Sequence, residues 1–218
     1  MKYLTISIAF LTMLSTGLWA SDSAEERMNE VIEIQSKAAD LKVLEKAWNA
    51  YQEGDYTSAS NLWKPLAEAG NASAQVFIGI MYNQGHGADR DEKKASEWYT
   101  LASKQGYLPA QWRLATMYYH GSGVVQDYQQ AANFYSLAAR QGDSYAQNAF
   151  GVMLRDGVGV LKDNTLAYLW FHIAGDSGFE LGAKYRDAIA INMTQEEIST
   201  SQSMAKKCVI SGYTKCGY

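Results

Sequence analysis

Apolar side chains recur along this chain in a rhythm that restarts every 36 residues. Residues 72–107, 108–143 and 144–179 superpose on one another, and each copy divides into two stretches. In the first copy the apolar positions are Ala74, Ile78, Met81 and Tyr82, then Ala95, Trp98, Tyr99 and Ala102, and both spacings place one stripe on one helix face. Identical columns include Ala74/Ala110/Ala146, Gln75/Gln111/Gln147, Gly85/Gly121/Gly157 and Gly87/Gly123/Gly159. A fixed period of this length predicts a repeat architecture in which each unit buries its apolar face against its neighbours. Asp91, Asp127 and Asp163 stand before the second stretch, where a carboxylate accepts from free amides and meets the positive end of the helix dipole. Gly106, Gly142 and Gly178 close it, at the position that favours a positive φ. The alanine columns let paired helices approach closely, and the aromatic column Trp98/Phe134/Trp170 fills the gap beside them.

The pattern weakens toward both ends. Residues 41–71 read as a shorter hairpin, in which Tyr51, Gly54, Asp55, Tyr56 and Ala59 match the repeat with five residues deleted before the second helix. Before it, residues 21–40 form a polar amphipathic helix expected to cap the first face of the array. After the third copy, residues 180–218 are expected to supply capping helices and a short tail: Leu181 to Ile191 continues one helix, and another runs from Thr194 to about Lys207. Thr194 and Glu197 have the spacing of a capping box, with Met193 and Ile198 as its hydrophobic staple. Residues 1–20 read differently. Lys2, an apolar run from Tyr3 to Leu18 and the small Ala20 before an acidic stretch are the pattern of a signal peptide cut after Ala20. Leu18 is larger than the side chain usual three places before a cut, and an uncleaved anchor is the alternative.

The pattern Ala-x-x-x-(Leu/Ile/Phe)-(Gly/Ala)-x-Met-Tyr-x-x-Gly-x-Gly, followed by the capping Asp, the Ala and aromatic columns and a closing Gly, resembles the SEL-one-like repeat, a variant of the tetratricopeptide repeat. Leu154 and Phe171 depart from the tyrosines of the other copies and stay apolar. The resemblance implies an all-α, right-handed superhelical solenoid of antiparallel helix pairs that serves as an exported scaffold or regulatory adaptor for an envelope or signalling protein. A cysteine-rich branch of that family is associated with β-lactam binding or hydrolysis, which makes a cell-wall or β-lactam hydrolase the alternative function. This chain lacks the cysteine pairs of that branch.

Composition narrows the possibilities further. An apolar fraction of 47% with 19% charged residues is that of a folded globular chain, and only two prolines against eighteen glycines fits many helices with regular stops. The net charge is −4, no dense Lys/Arg run occurs, and nucleic acid and anionic membranes are poor partners. Cys208 and Cys216 are the two cysteines, and in an exported protein they are expected to bond to each other. His86, His120 and His172 occupy different repeat positions with no second ligand at metal spacing, so neither a metal nor another cofactor is expected, and no nucleophile motif points to an enzyme.

A candidate binding face follows from comparing the copies, because core columns must repeat while a ligand surface is free to vary. On the first helix the varying columns begin at Ser73, Val76, Phe77, Ile80, Asn83 and Gln84, which form one continuous stripe. First helices line the concave groove of tetratricopeptide-type arrays. The expected partner-binding residues are therefore Val76, Ile80 and Asn83 in the first copy, Trp112, Arg113, Thr116 and Tyr119 in the second, and Asn148 and Arg155 in the third.

Overall fold

A computed structural model describes residues 22–217, and the leader assigned to residues 1–20 lies outside them. Among the described residues there are ten helices and no strand: α1 (Asp22–Gln52), α2 (Tyr56–Glu68), α3 (Ala72–Gln84), α4 (Glu92–Lys104), α5 (Leu108–His120), α6 (Tyr128–Ala139), α7 (Ser144–Asp156), α8 (Asn164–Asp176), α9 (Glu180–Ala190) and α10 (Gln195–Ile210). Each of α1 to α8 packs on the next, and α10 turns back onto α8. The result is an all-α repeat solenoid. The segment 21–40 and the first helix of the 41–71 hairpin, read separately in the sequence, form the single helix α1. Nothing between Asp22 and Gln52 interrupts it, since this stretch contains neither Gly nor Pro.

The local signals act as their chemistry requires. The carboxylates of Asp91, Asp127 and Asp163 accept from the backbone N–H three residues on, at Lys94, Gln130 and Leu166. Asn71 and Asp143 do the same for α3 and α7. Thr194 and Glu197 form the full capping box at α10, and Met193 and Ile198 pack against one core cluster. All nine side chains of the three alanine columns, Ala74, Ala95, Ala102 and their repeats, are 0% exposed. The aromatic column is less uniform: Trp170 is fully buried, whereas Trp98 and Phe134 are half-buried against neighbouring clusters.

Two repeated columns acquire a reason only in three dimensions. The second glycine of each Gly-x-Gly pair lets the loop of one repeat rest on the first turn of the preceding repeat's second helix. A Cβ at Gly123 would overlap the Glu92 carbonyl, and one at Gly159 the Tyr128 carbonyl. The glutamine column bridges repeats. Gln75 Nε2 donates to the Ala67 carbonyl at 3.1 Å, and Gln105 Nε2 donates both to Gln75 Oε1 at 3.0 Å and to the Gly70 carbonyl at 2.9 Å. Gln141 makes the same pair of bonds to Gln111 Oε1 and the Gly106 carbonyl, at 2.8 and 2.9 Å. Gln147 donates to the Ala139 carbonyl at 3.2 Å, but its Oε1 is buried without a partner. The residue that would reach it is Ser177, too short for the task.

At the end of the array Cys208 and Cys216 form a disulfide, and both are 0% exposed within the cluster that also contains Leu166 and Trp170. The bridge draws the tail onto α8 and α10. Gly217 lies so close to Leu166 and Met204 that a Cβ there would meet both at 2.7 Å.

Candidate functional site

The structure brings four of the expected binding residues around one depression of about 220 Å³: Asn83 at the end of α3 and Trp112, Arg113 and Thr116 on α5. Arg90, Glu92, Tyr99, Met117 and Ser122 complete its lining. The position follows from the repeat. Helix α5 begins at Leu108–Pro109 after the left-handed Gly106, its buried face carries Ala110, Leu114 and Met117, and Trp112, Arg113 and Thr116 stand beside that face. Trp112 remains 38% exposed at the rim.

Tyr99 forms the floor. It is 1% exposed, and its ring lies against Gly79 so closely that a Cβ there would come within 2.5 Å of it. On the other side the Arg113 guanidinium sits 5.6 Å from the ring centroid, close enough for a cation–π contact. The Tyr99 hydroxyl is buried and makes no well-aligned hydrogen bond among the described residues; the side chain that faces it is Arg113. Burial pushes the phenol up to about 12, with the Arg113 charge opposing, so Tyr99 is a permanent donor at neutral pH. Arg90 is paired with Glu92, whereas Arg113 makes no salt bridge among the described residues. Thr116 Oγ1 donates to the Trp112 carbonyl at 3.1 Å and lies 3.3 Å from the Tyr135 hydroxyl.

The other expected residues lie apart. Val76 is 4% exposed in the cluster of Ala95, Tyr99 and Leu114, and Ile80 packs on the same cluster. Both support the site from below and present little of their own surface. Asn148 is 9% exposed, with a buried Oδ1 that finds no partner. Tyr119 meets the Tyr128 ring edge-on at 5.2 Å. Arg155 is held twice, by bidentate bonds to Asp156 at 2.7 and 2.8 Å and by the Tyr185 ring at 5.2 Å. Phe77, which occupies in the first repeat the column of Arg113, stacks on Trp63 at 4.5 Å and packs, partly buried, against the core cluster of that residue. Tyr99, Arg90 and Ser122 did not stand out in the sequence. Tyr99 belongs to a core column, and its one distinguishing signal is the phenol that Phe171 lacks in the third copy.

The histidines engage in packing. His86 stacks on Tyr56 at 4.2 Å and its Nδ1 lies 2.8 Å from the Tyr51 hydroxyl. His172 lies beside Asp176 at 3.6 Å, in a wider depression of about 610 Å³ that Ser177 also lines. The residue types are those of a hydrolytic triad, but no hydrogen bond joins Ser177 to His172 and the imidazole Nδ1 is buried without a partner. That arrangement does not activate a nucleophile. Among the described residues no group of three or more His, Cys, Asp or Glu is placed to hold a metal, and no helix is long and apolar enough to cross a membrane.

Comparison with known proteins places the fold. The Sel1 repeat family matches residues 72–107, 108–143 and 144–179, the three copies read from the sequence, and the chain belongs to that family. Among solved structures it resembles a protective antigen present in uropathogenic Escherichia coli strains displaying an SLR fold. The TM-score is 0.65 and the identity 26%, over 79% of this chain and 42% of that one. The present chain thus spans less than half the length of the antigen. It also resembles a Sel1 repeat protein from Oxalobacter formigenes, with a TM-score of 0.63 and 27% identity over 78% of this chain and 69% of that one. No curated protein matches the chain by sequence. Sel1 repeats typically build non-enzymatic scaffolds that bind proteins.

Proposed function

We propose that this protein is an exported scaffold or adaptor, periplasmic or secreted, that holds a segment of a partner protein along the groove lined by α3, α5 and α7. The observation that carries the reading is the convergence of Asn83, Trp112, Arg113 and Thr116, all positions that vary between repeats, on one depression at the junction of the first two copies. Trp, Tyr and Arg are the side chains that most often dominate interfaces. Tyr119 and Arg155 extend the same face toward the third copy, with Val76, Ile80 and Asn148 fixing its shape from beneath. The buried disulfide supports an oxidising compartment, as does the apolar leader of the sequence.

The test is capture of partners from the native envelope fraction by immobilised protein, with wild type and the Trp112→Ala and Tyr119→Ala variants side by side. Each substitution is expected to keep the helical spectrum and to weaken capture of the wild-type partner at least about fivefold, the loss of roughly 1 kcal/mol or more that marks an interface contact. Unchanged capture by both folded variants overturns the groove assignment. No observation favours the hydrolase alternative, and turnover of a β-lactam by the purified chain would be the result that revives it.

A further inference from the structure

We infer that the depression between Tyr99 and Arg113 is a carboxylate site, which takes the acidic side chain of an extended partner segment; the inference rests on the scaffold reading above. Three observations lead to it. Tyr99 is part of the lining, and its hydroxyl is buried beside Arg113 without a well-aligned hydrogen bond among the described residues, although leaving a buried donor unsatisfied is costly. A core position with this geometry needs only a phenylalanine, as the third repeat has at Phe171. Arg113 stands over the same ring with no carboxylate of the described residues bonded to it. The site thus offers an ionic fork and a neutral donor side by side, with the Asn83 carboxamide in the same lining.

Charge and size select among anions. Arg90 and Glu92 cancel each other, which leaves Arg113 as the one uncompensated charge in the lining. A single guanidinium matches a monoanionic, planar carboxylate, whereas a phosphate dianion would leave charge unbalanced beside Glu92. The volume of about 220 Å³ is smaller than the roughly 300–1,000 Å³ of pockets that enclose small-molecule ligands, and suits one side chain. The varying columns run on past the pocket toward Tyr119 and Arg155, so a segment in the groove presents an internal residue at this junction. Trp112 at the rim offers its face to an apolar neighbour of the acidic residue.

The experiment follows the Trp112 indole and Arg113 Nε–H resonances of the full chain, disulfide intact, during titration with N-acetyl-Phe-Glu-Ala-amide. Its controls are the Gln counterpart, which has no carboxylate, and N-acetyl-Phe-Gln-Ala with a free C-terminus. A millimolar, saturable shift is expected for the Glu peptide, at least about fivefold weaker for the Gln peptide and for the Arg113→Gln protein. Tyr99→Phe is expected to weaken the Glu peptide about two- to threefold while unfolding at the same or higher denaturant concentration, because it deletes an orphan hydroxyl. That split separates a ligand donor from a merely structural tyrosine. Equal binding of the Glu and Gln peptides, binding of the free C-terminus alone, no saturable shift, or full affinity in Arg113→Gln overturns the proposal. The groove reading fails separately: it stands if Trp112→Ala abolishes envelope capture while the peptide arms show no preference for carboxylate.

Discussion

At single positions the array depends on residues that reach from one repeat to the next or take a backbone shape no other residue holds cheaply. Gly106 has φ +77° and nothing within 4 Å of a hypothetical Cβ, so a substitution there meets backbone strain alone. Gly106→Val is expected to cost about 1 kcal/mol or more, against about half that or less for Lys104→Val two residues earlier on the exposed helix end. Urea unfolding midpoints of the two variants check the difference. The glutamine bridges predict a gain. Ser177 occupies the backbone position of Gln105 and Gln141, with φ −79° and ψ 5° against φ −88° and ψ 5° at Gln105. Ser177→Gln should therefore supply the missing donor to Gln147 Oε1 and the Gly142 carbonyl, and raise stability by about 1 kcal/mol. An unchanged midpoint would mean that the orphan oxygen is not relieved. The repetition of Gln75, Gln111 and Gln147 was legible in the sequence, but its reason was not, because the partners lie 30 and 35 residues away across a helix interface.

At the scale of elements, the last helix and the tail close the structure. Glu197 accepts from the Thr194 backbone N–H at 2.7 Å, and that bond with the Thr194 hydroxyl holds its carboxyl below the ordinary value of 4.5. Backbone bonding lowers Asp91 in the same way, from 3.8, and the Ser58 hydroxyl and amide lower Asp55. These groups are more acidic folded than unfolded. Their contribution is complete above the ordinary carboxylate range and is lost as the pH falls through the lower, folded values. Stability is expected to decline as the pH drops below 4.5, and Glu197→Gln to remove its share of that decline in midpoints measured from neutral to acid pH. The disulfide closes the other side of α10. Replacing both cysteines by serine should lower stability by about 2–3 kcal/mol, the chain-entropy value for a loop this short, and free thiols should be absent from non-reduced wild type by mass spectrometry. Capping signals were legible because they are local: the Asp caps, the Thr194–Glu197 box and the glycine stops depend on neighbours three or four residues away. The unity of α1 was less so, since a change in pattern near residue 40 resembled a boundary that the backbone does not make.

For the whole molecule, stacking of like units decides which faces are covered. Each repeat buries its Ala columns against its neighbours, α10 shields α8, and the varying stripe is left along α3, α5 and α7. The stripe is not uniform, because the same column meets different neighbours. Its second position is a core valine at Val76, an exposed rim at Trp112 and a buried amide at Asn148. Its third is an aromatic stack at Phe77 and a cation over the Tyr99 ring at Arg113. By itself the sequence determined the class, the period, the number of full copies, the caps and the cysteine pairing, since repetition and local hydrogen bonding are written in spacing. Only the tertiary structure decided which members of the varying stripe meet. Four of the nine converge because Gly79 lets the Tyr99 ring drop between α3 and α5, leaving a buried hydroxyl beneath Arg113. That outcome depends on packing distances between helices, which a residue pattern along one strand of chain does not contain.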